Sequence, residues 1–254
     1  MIISPFNSIF FIGHRKCSGI ASRYIQTFAS TDRVLIQIIR ASGEQQRPVV
    51  VVDEATGVTA KTLVMGTKAM SNGSYVDYCY MEDLADGLYH INVDDLDSIP
   101  FRVTSDSKIL DSTVLIKYCV GNNLRRTDVL GILNSAPLYF SFRVPGGFVD
   151  DGVSFTVDNE QFITAEADIV ELYSLENYQK KLMVGYSYGV PIWFGALLNK
   201  LLTCQYVYID GVRHVRFESS VPQKEQVLIG HNSFVFSQML QEVLYNKHFI
   251  DDYL

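Results

Sequence analysis

Long apolar runs are missing from this sequence. No uninterrupted run approaches the ~18 residues that a membrane-spanning helix requires, so no membrane span is expected. The first residues lack the basic start of a signal peptide, and Pro5 and Asn7 interrupt their apolar stretch. We therefore expect a soluble protein that is made and kept in a cytoplasm.

Paired cysteines and an excess of basic residues are missing as well. The four cysteines are far apart and form no C-x-x-C pair: Cys17, Cys79, Cys119 and Cys204. Because a chain of 254 residues can bury a core without disulfides, we expect free buried thiols.

The chain carries 21 basic and 28 acidic residues, a net charge of −7. An acidic surface repels phosphate, which argues against a dedicated nucleic-acid binder.

Metal-ligand and cofactor patterns are also lacking. The histidines show no ligand spacing and none is paired with a cysteine: His14, His90, His214, His231 and His248. Acidic pairs occur at 94–95, 150–151 and 251–252. Loop carboxylates can bind Ca²⁺, but no EF-hand pattern is present and solvated turns are commoner. The segment 145–147, Pro-Gly-Gly, is predicted to be a turn, because no phosphate-binding lysine or helix follows it. The sequence thus predicts no metal site and no cofactor.

One motif resembles a catalytic one. Residues 185–189, G-Y-S-Y-G, match the G-x-S-x-G of serine hydrolases, and Asp210 with His214 or His231 preserves the order Ser, Asp, His. That motif requires parallel strands alternating with helices, whereas everything upstream here is typical of antiparallel strands. Asp210 also belongs to a tight turn. We therefore predict that Ser187 is not a nucleophile and that the protein is not an enzyme; a serine esterase is the weakest of three functional hypotheses.

The composition and spacing of the first half predict a β-sandwich. Hydrophobic residues make up 48% of the chain, and its 15 Tyr and 15 Phe against one Trp favour strands. Turn dipeptides such as Thr56-Gly57 and Asn72-Gly73 separate short strands at roughly ten-residue spacing, typical of a sandwich. The predicted strands are 9–13, 23–28, 34–41, 48–53, 59–65, 75–81, 87–93 and 101–104.

The second half is predicted to be a second β-sandwich. A polar stretch at 104–111 marks the boundary, so the predicted domains are 1–110 and 111–254. Strands are predicted at 113–120, 138–144, 153–157, 167–173, 181–184 and 234–240. One helix, 191–203, is indicated by Pro191 in its first turn and by an apolar stripe with helical spacing: Phe194, Leu197, Leu198, Leu201 and Leu202.

An extended hairpin is predicted at 205–217. Asp210-Gly211 is a preferred two-residue connection, because both positions need a positive φ. Tyr208 should then pair with Arg213, and Ile209 with Val212. Both faces of this hairpin are apolar near the turn, so it is buried in its own domain or meets a neighbouring chain. The candidate oligomer-interface residues are Tyr206, Tyr208, Asp210, Gly211, Val212, Arg213, Val215 and Phe217.

An alternative function comes from strand aromatics. Tyr75, Tyr78 and Tyr80 lie close together in the sequence, and Tyr78 and Tyr80 share a face if their strand is regular. Exposed aromatic side chains on a β-sandwich can bind a sugar by stacking on it, although tyrosines in strands mostly contribute to packing. A carbohydrate-binding β-sandwich adhesin is therefore the second hypothesis.

Several packing and turn strings of the chain are distinctive: F-R-V-P-G-G-F (142–148), D-N-E-Q-F (158–162), D-I-V-E-L-Y-S (168–174), G-V-P-I-W-F-G-A-L-L-N-K-L-L-T-C (189–204), Y-V-Y-I-D-G-V-R-H-V-R (206–216), S-S-V-P (219–222), N-S-F-V-F-S-Q-M-L-Q (232–241) and, near the N-terminus, R-Y-I-Q-T-F-A-S-T-D-R (23–33). On these strings the second half resembles structural proteins encoded in the tail regions of phages and prophages of Bacteroides-like gut bacteria. Under the second hypothesis, the carbohydrate-binding adhesin would lie at such a tail tip or at a cell surface.

The resemblance implies a mainly β virion protein of the distal-tail, tail-tip or baseplate type. Such proteins form homo-oligomeric rings, six-fold in many cases, whose channel passes DNA without specific binding. The implied partners are further copies of the chain and neighbouring tail proteins, and the implied location is the virion tail, assembled in the host bacterial cytoplasm. Six copies at −7 each would carry about −42, and an acidic wall lets DNA slide without sticking.

Overall fold

The computed structural model describes residues 1–11, 24–124, 126–186, 189–227 and 233–243. The fold is mainly β, with 55% of residues in strands and 6% in helices, which confirms the predicted fold class. The strands of the first half are β1 Ile2–Ile3, β2 Gln26–Ala29, β3 Val34–Arg40, β4 Val49–Asp53, β5 Thr59–Leu63, β6 Gly66–Ala69, β7 Tyr75–Met81, β8 Gly87–Val93, β9 Leu96–Asp97 and β10 Phe101–Thr104.

Helix α1, Ser107–Leu110, joins the two halves. The second half contains β11 Thr113–Cys119, β12 Ile132–Leu133, β13 Ala136–Pro137, β14 Phe140–Ile163, β15 Ile169–Val184, α2 Ile192–Leu201, β16 Tyr206–Ile209, β17 Val212–Arg216, β18 Gln223–Gln226 and β19 Phe234–Glu242. The strand predicted at 9–13 is wrong over 9–11, where Phe11 makes only an isolated bridge to Ser98, and residues 12 and 13 lie outside the described part.

The first half forms two sheets that pack face to face. One has the order β1-β3-β7-β6; the other has the order β2-β10-β8-β4-β5, with β9 beside β8. Pairing is antiparallel except between β2 and β10. Val34, Ile36 and Ile38 of β3 point into the core between these sheets. Leu35 lies on the opposite face and joins the core of the second half, because successive side chains of a strand alternate between its faces.

The second half is a sheet that closes on itself. The strand order is β15-β14-β11-β16-β17-β19, and β19 pairs again with β15, while β18 extends the sheet beside β19. Helix α2 packs its predicted apolar stripe against this sheet, and all five residues of the stripe are buried. The ring of Phe194 lies 5.1 Å from that of Phe142 in β14 and 5.3 Å from that of Phe10.

Two strands of the second half are much longer than predicted. The predicted strands 138–144 and 153–157 fall within one strand, β14, and 167–173 and 181–184 fall mostly within β15. The predicted turn at 145–147 is wrong, since the chain continues there as β14. Gly146 has φ +149°, and a Cβ on it would lie 2.1 Å from the Met183 carbonyl oxygen. Close approach of β15, rather than a turn, therefore requires glycine at this position.

The two halves share one hydrophobic cluster. Phe6, Leu35 and Val76 of the first half pack with the buried strands and helix of the second half. The Gln37 side chain donates to the Leu130 carbonyl oxygen at 2.7 Å and accepts from its N–H at 2.9 Å. The division into domains 1–110 and 111–254 stays a prediction, and in the structure the two halves are packed together.

Candidate functional site

The hairpin at 205–217 has the predicted turn. Asp210 and Gly211 have φ values of +47° and +85°, as a two-residue connection of this type requires. Tyr208 pairs with Arg213, and Ile209 pairs with Val212, which confirms the predicted register at the turn. Asp210 also fixes the turn to β11, because its Oδ1 accepts from the Leu115 N–H at 2.8 Å.

Both faces of β16 are covered by its own chain. Val207 and Ile209 lie in the shared hydrophobic cluster. On the other face Tyr208 is only 2% exposed, and its ring meets that of Tyr139 edge-on at 5.9 Å. The edge of β16 that faces away from β17 pairs with β11. Of the two alternatives, burial in its own domain or contact with a neighbouring chain, β16 therefore shows the first, and Tyr208 has almost no surface to offer a partner.

The remaining candidate residues lie closer to solvent. Val212 is 42% exposed, and Val215, on the opposite face of β17, is also exposed. Arg213 is half-buried, with its guanidinium carbon 5.2 Å from the centre of the Tyr206 ring. Asp210 and Gly211 are exposed at the turn, and Phe217 is half-buried with its N–H on the Met239 carbonyl oxygen at 3.3 Å. A contact of these residues with another chain stays a prediction.

His214 of the same hairpin has a structural environment. It is buried, stacks on Phe148 at 4.9 Å between ring centres, and its Nδ1 lies 2.8 Å from the Val212 carbonyl oxygen. Burial lowers the pKa of His214, because removal from water disfavours the charged ring. The ring therefore contributes to packing as a neutral group.

A second hairpin, which the sequence did not predict, is formed by the outer parts of β14 and β15. We call residues 154–179 the arm. Its strands pair with each other from Ser154↔Gln179 to Ile163↔Ile169. Between Ser154 and Tyr178 neither strand pairs with a third strand among the described residues, whereas Gln179 at the base pairs with Gln241 of β19. Ten residues of strand span about 34 Å, so the arm is a long two-stranded ribbon with both outer edges open.

The arm makes internal contacts at both ends. At its base the ring of Phe155 meets that of Tyr178 edge-on at 5.1 Å. At its tip the Thr164 N–H donates to the Asp168 carbonyl oxygen at 2.8 Å, and Ala167 takes a φ of +62°. A register shift between Val149 and Ser154 separates the arm from the closed sheet, and such irregularities bend a strand.

The arm exposes an unusual amount of apolar surface. Eight of the eighteen large apolar residues that are exposed in the described chain lie on it: Phe155, Val157, Phe162, Ile163, Ile169, Leu172, Tyr173 and Leu175. Phe155, for example, is 72% exposed. Since paired residues share a face, Phe155 and Val157 lie on one face, whereas Phe162 and Tyr173 lie on the other. Exposed apolar surface concentrated in one element marks an interaction site.

The tyrosines considered for sugar binding are used mainly in packing. Tyr78 and Tyr80 are half-buried against the shared cluster. The Arg33 guanidinium lies over the Tyr80 ring at 4.6 Å, and that of Arg40 lies over Tyr75 at the same distance. Because a sugar ring would need these aromatic faces, the arrangement does not favour the carbohydrate-binding hypothesis.

The remaining candidate groups do not form a site within the described residues. Ser187, His14, His231, His248, Cys17 and the acidic pair 251–252 lie outside them. His90 pairs with Glu54 at 2.8 Å, and Asp94 pairs with Arg47 at 3.2 Å. In that part of the chain no group of three or more His, Cys, Asp or Glu side chains is placed to hold a metal ion.

Neither helix of the described chain is long and apolar enough to cross a membrane. The described cysteines, Cys79, Cys119 and Cys204, are free thiols. Burial raises the pKa of each of these thiols to about 12, so they stay protonated at neutral pH.

In comparisons with known proteins, no protein-family model, curated protein or solved structure matches this chain.

Proposed function

We propose that this protein is a structural subunit of a phage tail, of distal-tail, tail-tip or baseplate type, that assembles with copies of itself into a ring. The observation that carries the proposal is the arm. It is a ribbon of two strands with open edges and apolar side chains on both faces. An isolated two-stranded hairpin is marginally stable in water, and its exposed edges are templates for pairing.

The sequence resemblance supports the same proposal independently of the arm's exposure. Two of the strings that resemble tail proteins, 158–162 and 168–174, lie in the arm itself. A further copy of the chain is the simplest partner, because most soluble oligomers are built from identical subunits. The channel of such a ring would pass DNA without specific binding, in keeping with a net charge of −7 per copy, because an acidic protein repels phosphate. Neighbouring tail proteins would bind above and below the ring.

Removing the arm tests the proposal. In the test variant, residues 156–177 are replaced by Asn-Gly, which joins the paired residues Phe155 and Tyr178 by a preferred two-residue turn. The described residues of this segment supply nothing to the buried clusters. We therefore expect an unchanged circular dichroism spectrum. Sedimentation velocity should show an oligomer for the wild type and a monomer for the variant.

Val212→Glu probes the other hairpin, for which contact with another chain is still a prediction, because it alters an exposed residue there. If the arm alone carries the assembly, Val212→Glu assembles as the wild type does. A wild type that is monomeric at its highest soluble concentration, or an armless chain that still assembles, would contradict the proposal. If Val212→Glu loses assembly while the armless variant keeps it, the contact between copies lies at residues 205–217.

A further inference from the structure

The charge of the arm is unlike that of the rest of the molecule. Residues 154–179 contain no Lys or Arg and six carboxylates: Asp158, Glu160, Glu166, Asp168, Glu171 and Glu176. The remainder of the chain has 22 acidic and 21 basic residues and is almost neutral. Contact between two arms would bring like charges together, which opposes association. The receiving surface should therefore lie on the body of a neighbouring copy and carry positive charge.

One surface of the body has the complementary character. We call residues 58–69 the β5–β6 corner, because Val64 and Met65 join the edge strands of the two N-terminal sheets there. Strand β5 pairs with β4, β6 pairs with β7, and neither has a second partner in the described chain. The β5–β6 corner contains no Asp or Glu, but it contains Lys61 and Lys68.

The β5–β6 corner also has exposed apolar surface. Val64 is 91% exposed, and Val58 is exposed at the start of β5. Lys68 is exposed on β6. Lys61 is half-buried and donates to the carbonyl oxygen of Glu82, just after β7 of the other sheet, at 2.6 Å. The β5–β6 corner thus combines two open backbone edges with exposed valines and with lysines.

From this complementarity we propose that the arm of one copy adds as an extra pair of strands to the β5–β6 corner of the next copy. This inference rests on the proposed function, since it names the partner surface of that same assembly. Pairing of an added strand with an open sheet edge supplies backbone hydrogen bonds, while side chains set specificity. The contact joins two different surfaces, so it is head-to-tail and closes into a ring when the rotation between copies allows.

The other open edge of the second half is less suitable. Strand β18 pairs only with β19 among the described strands and is exposed throughout. Its four residues include Lys224 and Glu225, so its charges cancel. The Lys224 ammonium also lies over the Phe234 ring at 5.0 Å. An acidic arm gains no electrostatic attraction from this edge, whereas the β5–β6 corner attracts it.

A charge exchange in full-length chains tests the inference. The corner variant is Val64→Glu/Lys68→Glu, which leaves Lys61 and its hydrogen bond intact. The arm variant is Asp158→Lys/Glu160→Lys, in which both changes lie on one face of the ribbon. Each variant alone should associate at least about tenfold more weakly than the wild type in sedimentation velocity. An equimolar mixture should regain assembly, because each altered surface then meets its complement.

The matched control is Val221→Glu/Lys224→Glu, the same two changes at the β18 edge, and it should assemble as the wild type does. Wild-type assembly should also weaken as salt is raised, because exposed charges are screened. A corner variant that assembles normally, a control that fails equally, or a mixture that stays dissociated would overturn the inference. If the armless chain is monomeric while the corner variant still assembles, only the partner surface is wrong. A monomeric wild type would overturn both the inference and the proposed function.

Discussion

Two residues of one short hairpin, Tyr208 and Val212, have opposite surroundings. Tyr208 is buried between β11 and β17 with its ring against Tyr139, whereas Val212 is exposed just after the turn. Sequence position alone does not separate them, since both lie on apolar faces next to Asp210-Gly211. The difference arises from β11 and Tyr139, which are distant in the sequence and cover one residue but not the other.

This contrast predicts the effects of the same substitution at the two sites. Tyr208→Glu would remove a buried ring and place a carboxylate in a dry environment, a cost that the neighbouring Arg213 offsets only in part. We expect it to lower the free energy of unfolding by at least about 3 kcal/mol in urea denaturation. Val212→Glu should change it by no more than about 0.5 kcal/mol, as exposed substitutions usually do. Equal stability of the two variants would contradict the observed burial.

At the scale of elements, helix α2 is the clearest link between sequence and packing. Its apolar residues recur with helical spacing, and the same residues are buried against the closed sheet. Gly195 lies where a Cβ would come within 2.2 Å of the Phe236 ring, so the helix and β19 approach closely. The helix is therefore held by packing along one face rather than by its capping residue, Pro191, which makes no side-chain hydrogen bond.

Leu198→Ala tests the packing of the helix. The side chain is fully buried, so its truncation should lower the free energy of unfolding by roughly 2–5 kcal/mol. The matched control is Leu124→Ala, which removes the same atoms from a leucine that is 81% exposed, and it should cost less than about 0.5 kcal/mol. Thermal or urea denaturation measures both, and a similar loss in the two variants would mean that the helix is not packed as described.

Local chemistry explains which elements the sequence predicted. The helical stripe and Pro191 predicted α2, and Asp210-Gly211 predicted the turn and its register. In each case the signal lies within a few neighbouring residues. Most strands of the first half were also predicted within a few residues of their bounds, because their turns are marked by glycines such as Gly57 and Gly73, both with positive φ.

Long-range pairing explains what the sequence did not predict. Pro145-Gly146-Gly147 has the composition of a turn, and only the position of Met183 on β15 shows why glycine is needed within a strand. The sequence predicted separate short strands at 153–157 and 167–173 instead of the arm, because the pairing of β14 with β15 is a long-range feature. The apolar residues of the arm fall on both faces, so they lack the alternation that marks a strand with one wet side. A signal was available in the sequence: residues 154–179 contain no basic residue.

At the scale of the whole molecule, a buried ion pair joins the two halves. Asp32 precedes β3, and Arg143 lies in β14. The Arg143 Nε and Nη2 atoms lie 2.6 and 2.9 Å from the two carboxylate oxygens of Asp32. Asp32 also accepts from the Ala29 N–H, and Arg143 donates to the Thr113 hydroxyl. Together with the shared hydrophobic cluster, this pair should couple the predicted domains into one cooperative unit.

Arg143→Leu should therefore lower the stability of both halves in a single transition. It leaves the Asp32 carboxylate buried without its partner, which typically costs about 3–5 kcal/mol. The double variant Asp32→Asn/Arg143→Leu should lose less than Arg143→Leu alone, because it leaves no buried charge while the asparagine oxygen can still accept from Ala29. Arg33→Leu breaks an exposed pair with Glu82 and should cost at most about 1 kcal/mol. Calorimetry of the wild type and the three variants measures these losses. Two separate transitions in the wild type would show that 1–110 and 111–254 unfold independently, and the ion pair would then not couple them.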